Sequence, residues 1–75
     1  MTLTEVRIGD YYRIRQMTVS APVAGRLDAL GIRNGTVVKL ITHRKNGAAV
    51  IYFRGTRIAL GKRITDSVTV SEVVR

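Results

Sequence analysis

A small, mainly β fold, an antiparallel sheet curled into a barrel with one short helical insertion, is predicted by three observations. Short runs rich in Val, Ile, Leu and Thr recur with apolar–polar alternation. Glycines and an Asn46-Gly47 pair interrupt those runs at close intervals. Only residues 22–30 carry apolar side chains at helical spacing. About five or six strands of this length limit their exposed edges best by closing on themselves. At 75 residues the chain reads as one domain, 1–75, with a single small core. Neither an internal repeat nor a linker divides it.

Leu3 to Ile8 reads as an initial strand or an extended arm, and Gly9-Asp10 turns the chain into Tyr11 to Met17. There Tyr12 and Ile14 alternate with Arg13 and Arg15, the pattern of a strand with one buried and one wet face. Pro22 suits the first turn of a helix, and Ser20 is a candidate cap. Val23, Leu27 and Leu30 then share one helical face, with Arg26 and Asp28 off it. Gly31 stands where a left-handed position ends a helix, so that Ile32 folds back onto Leu27 or Leu30. Leu27 and Leu30 are both expected to hold the helix onto the barrel.

Gly35 permits a tight turn into Thr36 to His43, where Val38 and Leu40 share a face opposite Lys39. Asn46-Gly47 fits the two central positions of a primed hairpin turn. A strand from Ala49 to Phe53 reverses at Arg54-Gly55 into Thr56 to Leu60. Gly61 interrupts, Lys62 to Asp66 reads as one helical or irregular turn, and Ser67 to Val74 alternates with Val68 and Val70 inward.

Thirteen Lys and Arg against five Asp and Glu give a formal charge of +8, and the placement matters more than the sum. Between Asp28 and Asp66 there is no acidic residue, whereas Arg33, Lys39, Arg44, Lys45, Arg54, Arg57, Lys62 and Arg63 are basic. Such a surface attracts nucleic acid, anionic head groups or an acidic protein face. No apolar run of about 20 residues is present, and the N-terminus lacks the basic and apolar regions of a secretion signal. The expected location is the cytoplasm, with no insertion into a membrane. The absence of cysteine removes disulfides and thiolate metal sites and fits a reducing compartment.

The residue pattern does not point to catalysis. His43 is the single histidine and has no neighbouring carboxylate to make an acid–base pair. Asp10, Asp28 and Asp66 are well separated, show no established metal-ligand spacing, and are expected to be surface or turn residues. Gly61-Lys62-Arg63 is too short for a phosphate-binding loop, and no dinucleotide fingerprint is present. Neither an enzyme nor a cofactor-binding or metal site is therefore expected. Of Tyr11, Tyr12, Tyr52 and Phe53, one of each adjacent pair must point inward on a strand. A stacking platform for nucleic acid would have to use the others beside Arg54.

Arg26-Leu27, Leu30-Gly31 and Gly35, the Gly47 hairpin, and Gly55 before Ile58-Ala59-Leu60 occur in an order that resembles the ferrous-iron transport accessory family FeoA. Leu3, Val6 and Gly9-Asp10 near the start and Val68-Thr69-Val70 near the end extend the resemblance over nearly the whole chain. The resemblance implies an SH3-like β-barrel with an inserted helix. It also implies a cytoplasmic, non-enzymatic role that supports or regulates the FeoB-type ferrous iron transporter by contacting its cytoplasmic region. A proline often follows the hairpin glycine in that family, whereas here Ala48 and Ala49 follow Gly47, a difference that bears on loop stiffness. Arg26, Arg33, Arg44, Lys45, Arg54 and Arg57 are the expected partner-binding residues, on charge placement together with the resemblance. The alternative is a small basic barrel that binds RNA or DNA.

Overall fold

Alternation builds the first strand where it is expected. In β1 (Tyr11–Met17) Tyr12 and Ile14 are buried while Arg13 and Arg15 face solvent. The computed structural model describes residues 1–74, so the last residue of the predicted domain lies outside the described part. After β1 come α1 (Ala21–Ala29), β2 (Val37–His43), β3 (Ala49–Phe53), β4 (Thr56–Leu60), α2 (Lys62–Ser67) and β5 (Val68–Glu72). The strands form one five-stranded antiparallel sheet in the order β4-β3-β2-β1-β5.

Register shifts between Ile14 and Gln16 and between Leu40 and Thr42 bend and twist the strands that carry them. The outer strands β4 and β5 make no ladder with each other among the described residues. The free edge of β5 is instead covered by the N-terminal arm. Thr2 bridges Thr69, Leu3 N–H donates to the Val68 carbonyl (3.1 Å) and Val70 N–H donates to the Met1 carbonyl (2.8 Å). Leu3 and Val6 are buried, so this segment is an arm plugged into the core.

Helix α1 ends in a full Schellman turn. Gly31 takes φ 88°, its N–H bonds the Asp28 carbonyl (2.9 Å), and Ile32 N–H bonds the Leu27 carbonyl (2.8 Å). Ser20 caps the other end, accepting from Val23 N–H at 3.5 Å. The expectation that Leu30 is core is overturned: Leu30 is 52% exposed, whereas Ile32 is 1% exposed. The helix stops at Ala29 and Leu30 is its C-cap, and the reversal at Gly31 brings Ile32 into the core with Leu27, so Ile32 takes the core place expected for Leu30.

The hairpins divide differently from expectation. Gly47 is left-handed (φ 91°), Asn46 is not, and Gly47 N–H bonds the Arg44 carbonyl (3.0 Å) while Arg44 N–H bonds the Ala48 carbonyl (2.8 Å). This is a three-residue loop closed by a left-handed glycine. The Asn46 side chain accepts from Ala48 N–H (3.0 Å), which ties the residue to its own loop. The primed two-residue turn lies at Arg54-Gly55, between the paired residues Phe53 and Thr56, with φ 51° and 79°. The turn expected at Lys62 to Asp66 is the helix α2. Its buried Thr65 hydroxyl donates to the Gly47 carbonyl (2.8 Å), which docks α2 on the β2–β3 hairpin. Tyr12, Ile14, Leu27, Ile32, Val38, Leu40, Ile51, Leu60, Val68 and Val70 belong to the core.

Candidate functional site

The surface around the end of α1 follows from that Schellman turn. Because the chain reverses at Gly31, Leu30 is left in a groove between α1 and β4, with Val23, Ile58, Ala59 and Ile64 as apolar lining and Arg26 at its margin. Leu30 was missed by periodicity. Its place directly before a helix-ending glycine is the signal that it leaves the buried stripe.

A second, more polar cleft adjoins the same turn. Gly31, Arg33, Thr36, Val37, Phe53 and Arg54 line it, so the end of α1 and the β3–β4 turn bring Arg33 and Arg54 together. Asp28 holds Arg33 through Nε–Oδ1 (3.3 Å), and Arg33 Nη2 donates to the Asp28 carbonyl (3.3 Å). Arg54 lies over the Phe53 ring, its Cζ 5.2 Å from the centroid.

The remaining expected residues lie elsewhere. Arg57 is on the outer sheet face, opposite Tyr52 in the register, and Tyr52 is opposite Lys39, itself opposite Tyr11. These four side chains line one depression, with Lys39 Nζ 5.7 Å from the Tyr11 ring centroid and Tyr52 39% exposed. Sequence alternation required one aromatic of each adjacent pair to face outward but did not choose between Tyr52 and Phe53 or give the alignment, which depends on cross-strand register. Arg44 and Lys45 are on the β2–β3 hairpin, at the opposite end of the five-residue β3 from Arg54, roughly 16 Å along the strand. Thus the six expected residues occupy several places: Arg26 beside the apolar groove, Arg33 with Arg54, Arg57 on the outer face, and Arg44 with Lys45 at the far hairpin.

Two ion pairs are present among the described residues, Arg33–Asp28 and Lys62–Asp66. The bond from Lys62 Nζ (2.6 Å), and after it the bond from the Thr4 hydroxyl (2.6 Å), hold the Asp66 carboxyl below its usual range. The Thr2 backbone N–H and hydroxyl do the same for Glu5. His43 ends β2 opposite Ala49, and its Nε2 is buried without a hydrogen-bond partner. Among the described residues no group of three or more His, Cys, Asp or Glu side chains is arranged to hold a metal ion. No described helix is long and apolar enough to cross a membrane.

Fold and surface define a small basic β module whose arginines are displayed around a helix end and a hairpin tip. The FeoA domain model matches residues 1–72, and the chain belongs to that family, which is associated with ferrous iron transport. Its fold is similar to that of the FeoA protein from Chlorobium tepidum, with a TM-score of 0.88 and 21% identity over 99% of this chain and 71% of that one. It is also similar to iron(II) transport protein A from Clostridium thermocellum, with a TM-score of 0.84 and 26% identity over 97% of this chain and 46% of that one. The metal-dependent transcriptional regulator MtsR shares the fold at a TM-score of 0.83 and 12% identity, over 97% of this chain and 34% of the regulator. No curated protein matches the chain.

Proposed function

We propose that this protein is a non-enzymatic cytoplasmic accessory factor that docks on the cytoplasmic region of a FeoB-type ferrous iron transporter and supports or regulates uptake. The observation that carries the docking surface is Leu30, 52% exposed in an apolar groove beside Arg26. Burying the exposed half of this leucine at an interface contributes about 1 kcal/mol. Arg33, Arg44, Lys45, Arg54 and Arg57 provide the field that steers an acidic partner surface to the groove. Each exposed ion pair adds little affinity, but several together accelerate encounter.

The test is capture of the transporter from native membranes by the purified protein. Leu30→Asn should lower capture several-fold, the equivalent of ~1 kcal/mol, with only a small change in the thermal midpoint, since about half of the side chain is already exposed. Charge reversal at Arg54 and Arg57 should weaken capture at low salt. Undiminished capture by both variants would remove this surface from the function.

A second reading, a basic module for single-stranded RNA or DNA, is favoured by the aligned Tyr11, Lys39, Tyr52 and Arg57 on the outer face. Aromatic rings beside cations suit base stacking and phosphate contact. If that reading holds, fluorescence anisotropy with a short single-stranded oligonucleotide will show salt-sensitive binding that Tyr52→Ala weakens by a factor of ten or more. Weak binding unaffected by Tyr52→Ala would reduce it to non-specific attraction.

A further inference from the structure

Arg54 is the one non-glycine residue with positive φ among the described residues. It occupies the first central position of a primed two-residue turn, where Asn, Asp or Gly is preferred because a larger Cβ-bearing residue is strained there. Strain of this kind persists where the surroundings hold it in place, and it concentrates where a side chain is needed in one direction. The surroundings here are specific. A Cβ built on Gly31 would come within 3.0 Å of Phe53 and 3.8 Å of Arg54 Nη1, so the bare glycine leaves room for the ring and the guanidinium above it. Arg33 lines the same cleft, and its Nε and one Nη2 hydrogen are turned toward Asp28, which orients the guanidinium and leaves its other donors uncommitted.

We propose that Arg33 and Arg54 form an oxyanion-binding site, and that its ligand is the carboxylate of an acidic side chain on a protein partner. Two guanidinium groups and the Asp28 carboxylate leave one net positive charge, which matches a carboxylate better than a phosphate dianion. The planar fork of each arginine accepts a carboxylate through paired N–H donors. Phe53 and Val37 supply the apolar part of a mainly polar cleft in which Arg33 stays 61% exposed, so binding there depends on the two arginines acting together. The site deepens the docking reading by naming the acidic group that the partner presents, and it rests on that reading for the partner's being a protein. The left-handed Arg54 backbone is then a stability cost retained because it aims the side chain over Phe53 toward Gly31.

The experiment uses the intact protein and an acetylated, amidated alanine peptide that carries a single glutamate, followed by backbone amide NMR, with inorganic phosphate as a second probe. Saturable shifts centred on Gly31, Arg33, Thr36 and Arg54 are expected with the peptide, and at least tenfold weaker binding with phosphate. Arg54→Gly should abolish the peptide shifts and leave the thermal midpoint equal or higher, because glycine accepts the turn. Lys45→Ala, which removes a charge at the far hairpin, should change peptide affinity less than twofold. Shifts spread evenly over Arg13, Arg15, Arg44 and Lys45 would overturn the site, as would undiminished binding by Arg54→Gly or a lowered midpoint in that variant. Equal affinity for phosphate would overturn the carboxylate assignment. The peptide assay contains no transporter, so intact cleft binding alongside failed membrane capture would count against the docking reading alone.

Discussion

Tyr12 shows how one residue joins the arm to the sheet. Its ring is in the core while its hydroxyl accepts from Arg7 N–H at 2.9 Å, so one side chain fills volume and satisfies a backbone donor. Tyr12→Phe keeps the packing and strands the donor, which should cost about 1 kcal/mol. In a domain of this size that loss lowers the thermal midpoint by about 4–8 °C, which calorimetry would measure. An unchanged midpoint would mean that water replaces the hydroxyl at no cost. Leu30 and Ile32 make the complementary point, since residues of similar hydrophobicity only two positions apart end on opposite sides of the surface because Gly31 between them is left-handed.

At the scale of elements, glycine has opposite consequences in α1 and in the β2–β3 hairpin. Gly25 sits within α1 with ordinary helical φ and nothing within 4 Å of an added Cβ, so Gly25→Ala should stabilise by about 0.5–1 kcal/mol through helix propensity. Gly47 has φ 91°, and a Cβ there would approach Lys62 Cγ at 2.7 Å. Gly47→Ala should therefore destabilise by more than about 1 kcal/mol and loosen the Thr65 bond that docks α2. Urea melts of the two variants are expected to shift in opposite directions, and a shared direction would contradict the backbone assignment at one of them. The family's common proline after the hairpin glycine is absent here, and the Asn46 side chain bonded to Ala48 N–H supplies local restraint in its place.

On the scale of the whole molecule, the arm and α2 are tied together at Asp66, which accepts from Thr4 on the arm and from Lys62 on its own helix. Its pKa is lowered in the folded state, so the carboxylate stabilises the fold above its unfolded pKa, and that contribution disappears as pH falls through the depressed folded value. The thermal midpoint should hold steady near neutral pH and decline from about pH 4 downward, with Glu5 contributing in the same direction. Asp66→Asn should have a lower midpoint at neutral pH and a flatter profile in the acid range. An unaltered acid profile would show that other carboxylates dominate it. The clustered cations act at this scale too: capture of an acidic partner should weaken as salt rises, because exposed charges are screened over about 8–10 Å at physiological ionic strength.

Local chemistry was enough to read much of this fold. Alternation located β1 and the inward faces of β2 and β5, the glycines marked the reversals, and the order of those signals carried the FeoA resemblance that the family match over residues 1–72 bears out. These features depend on side-chain spacing and on φ preferences that neighbouring residues already specify. Tertiary structure decided what depends on distant partners. It set Leu30 in a groove lined by Ile58 and Ile64, placed the primed turn at Arg54 instead of Asn46, and covered the β5 edge with the arm while leaving no β4–β5 ladder among the described residues. It also separated six basic residues that look alike in sequence, pairing Arg33 with Arg54 across the end of α1 and sending Arg44 and Lys45 to the opposite end of β3. Periodicity reports which way a residue faces along its own element, but which elements meet is set by the packing of the whole core.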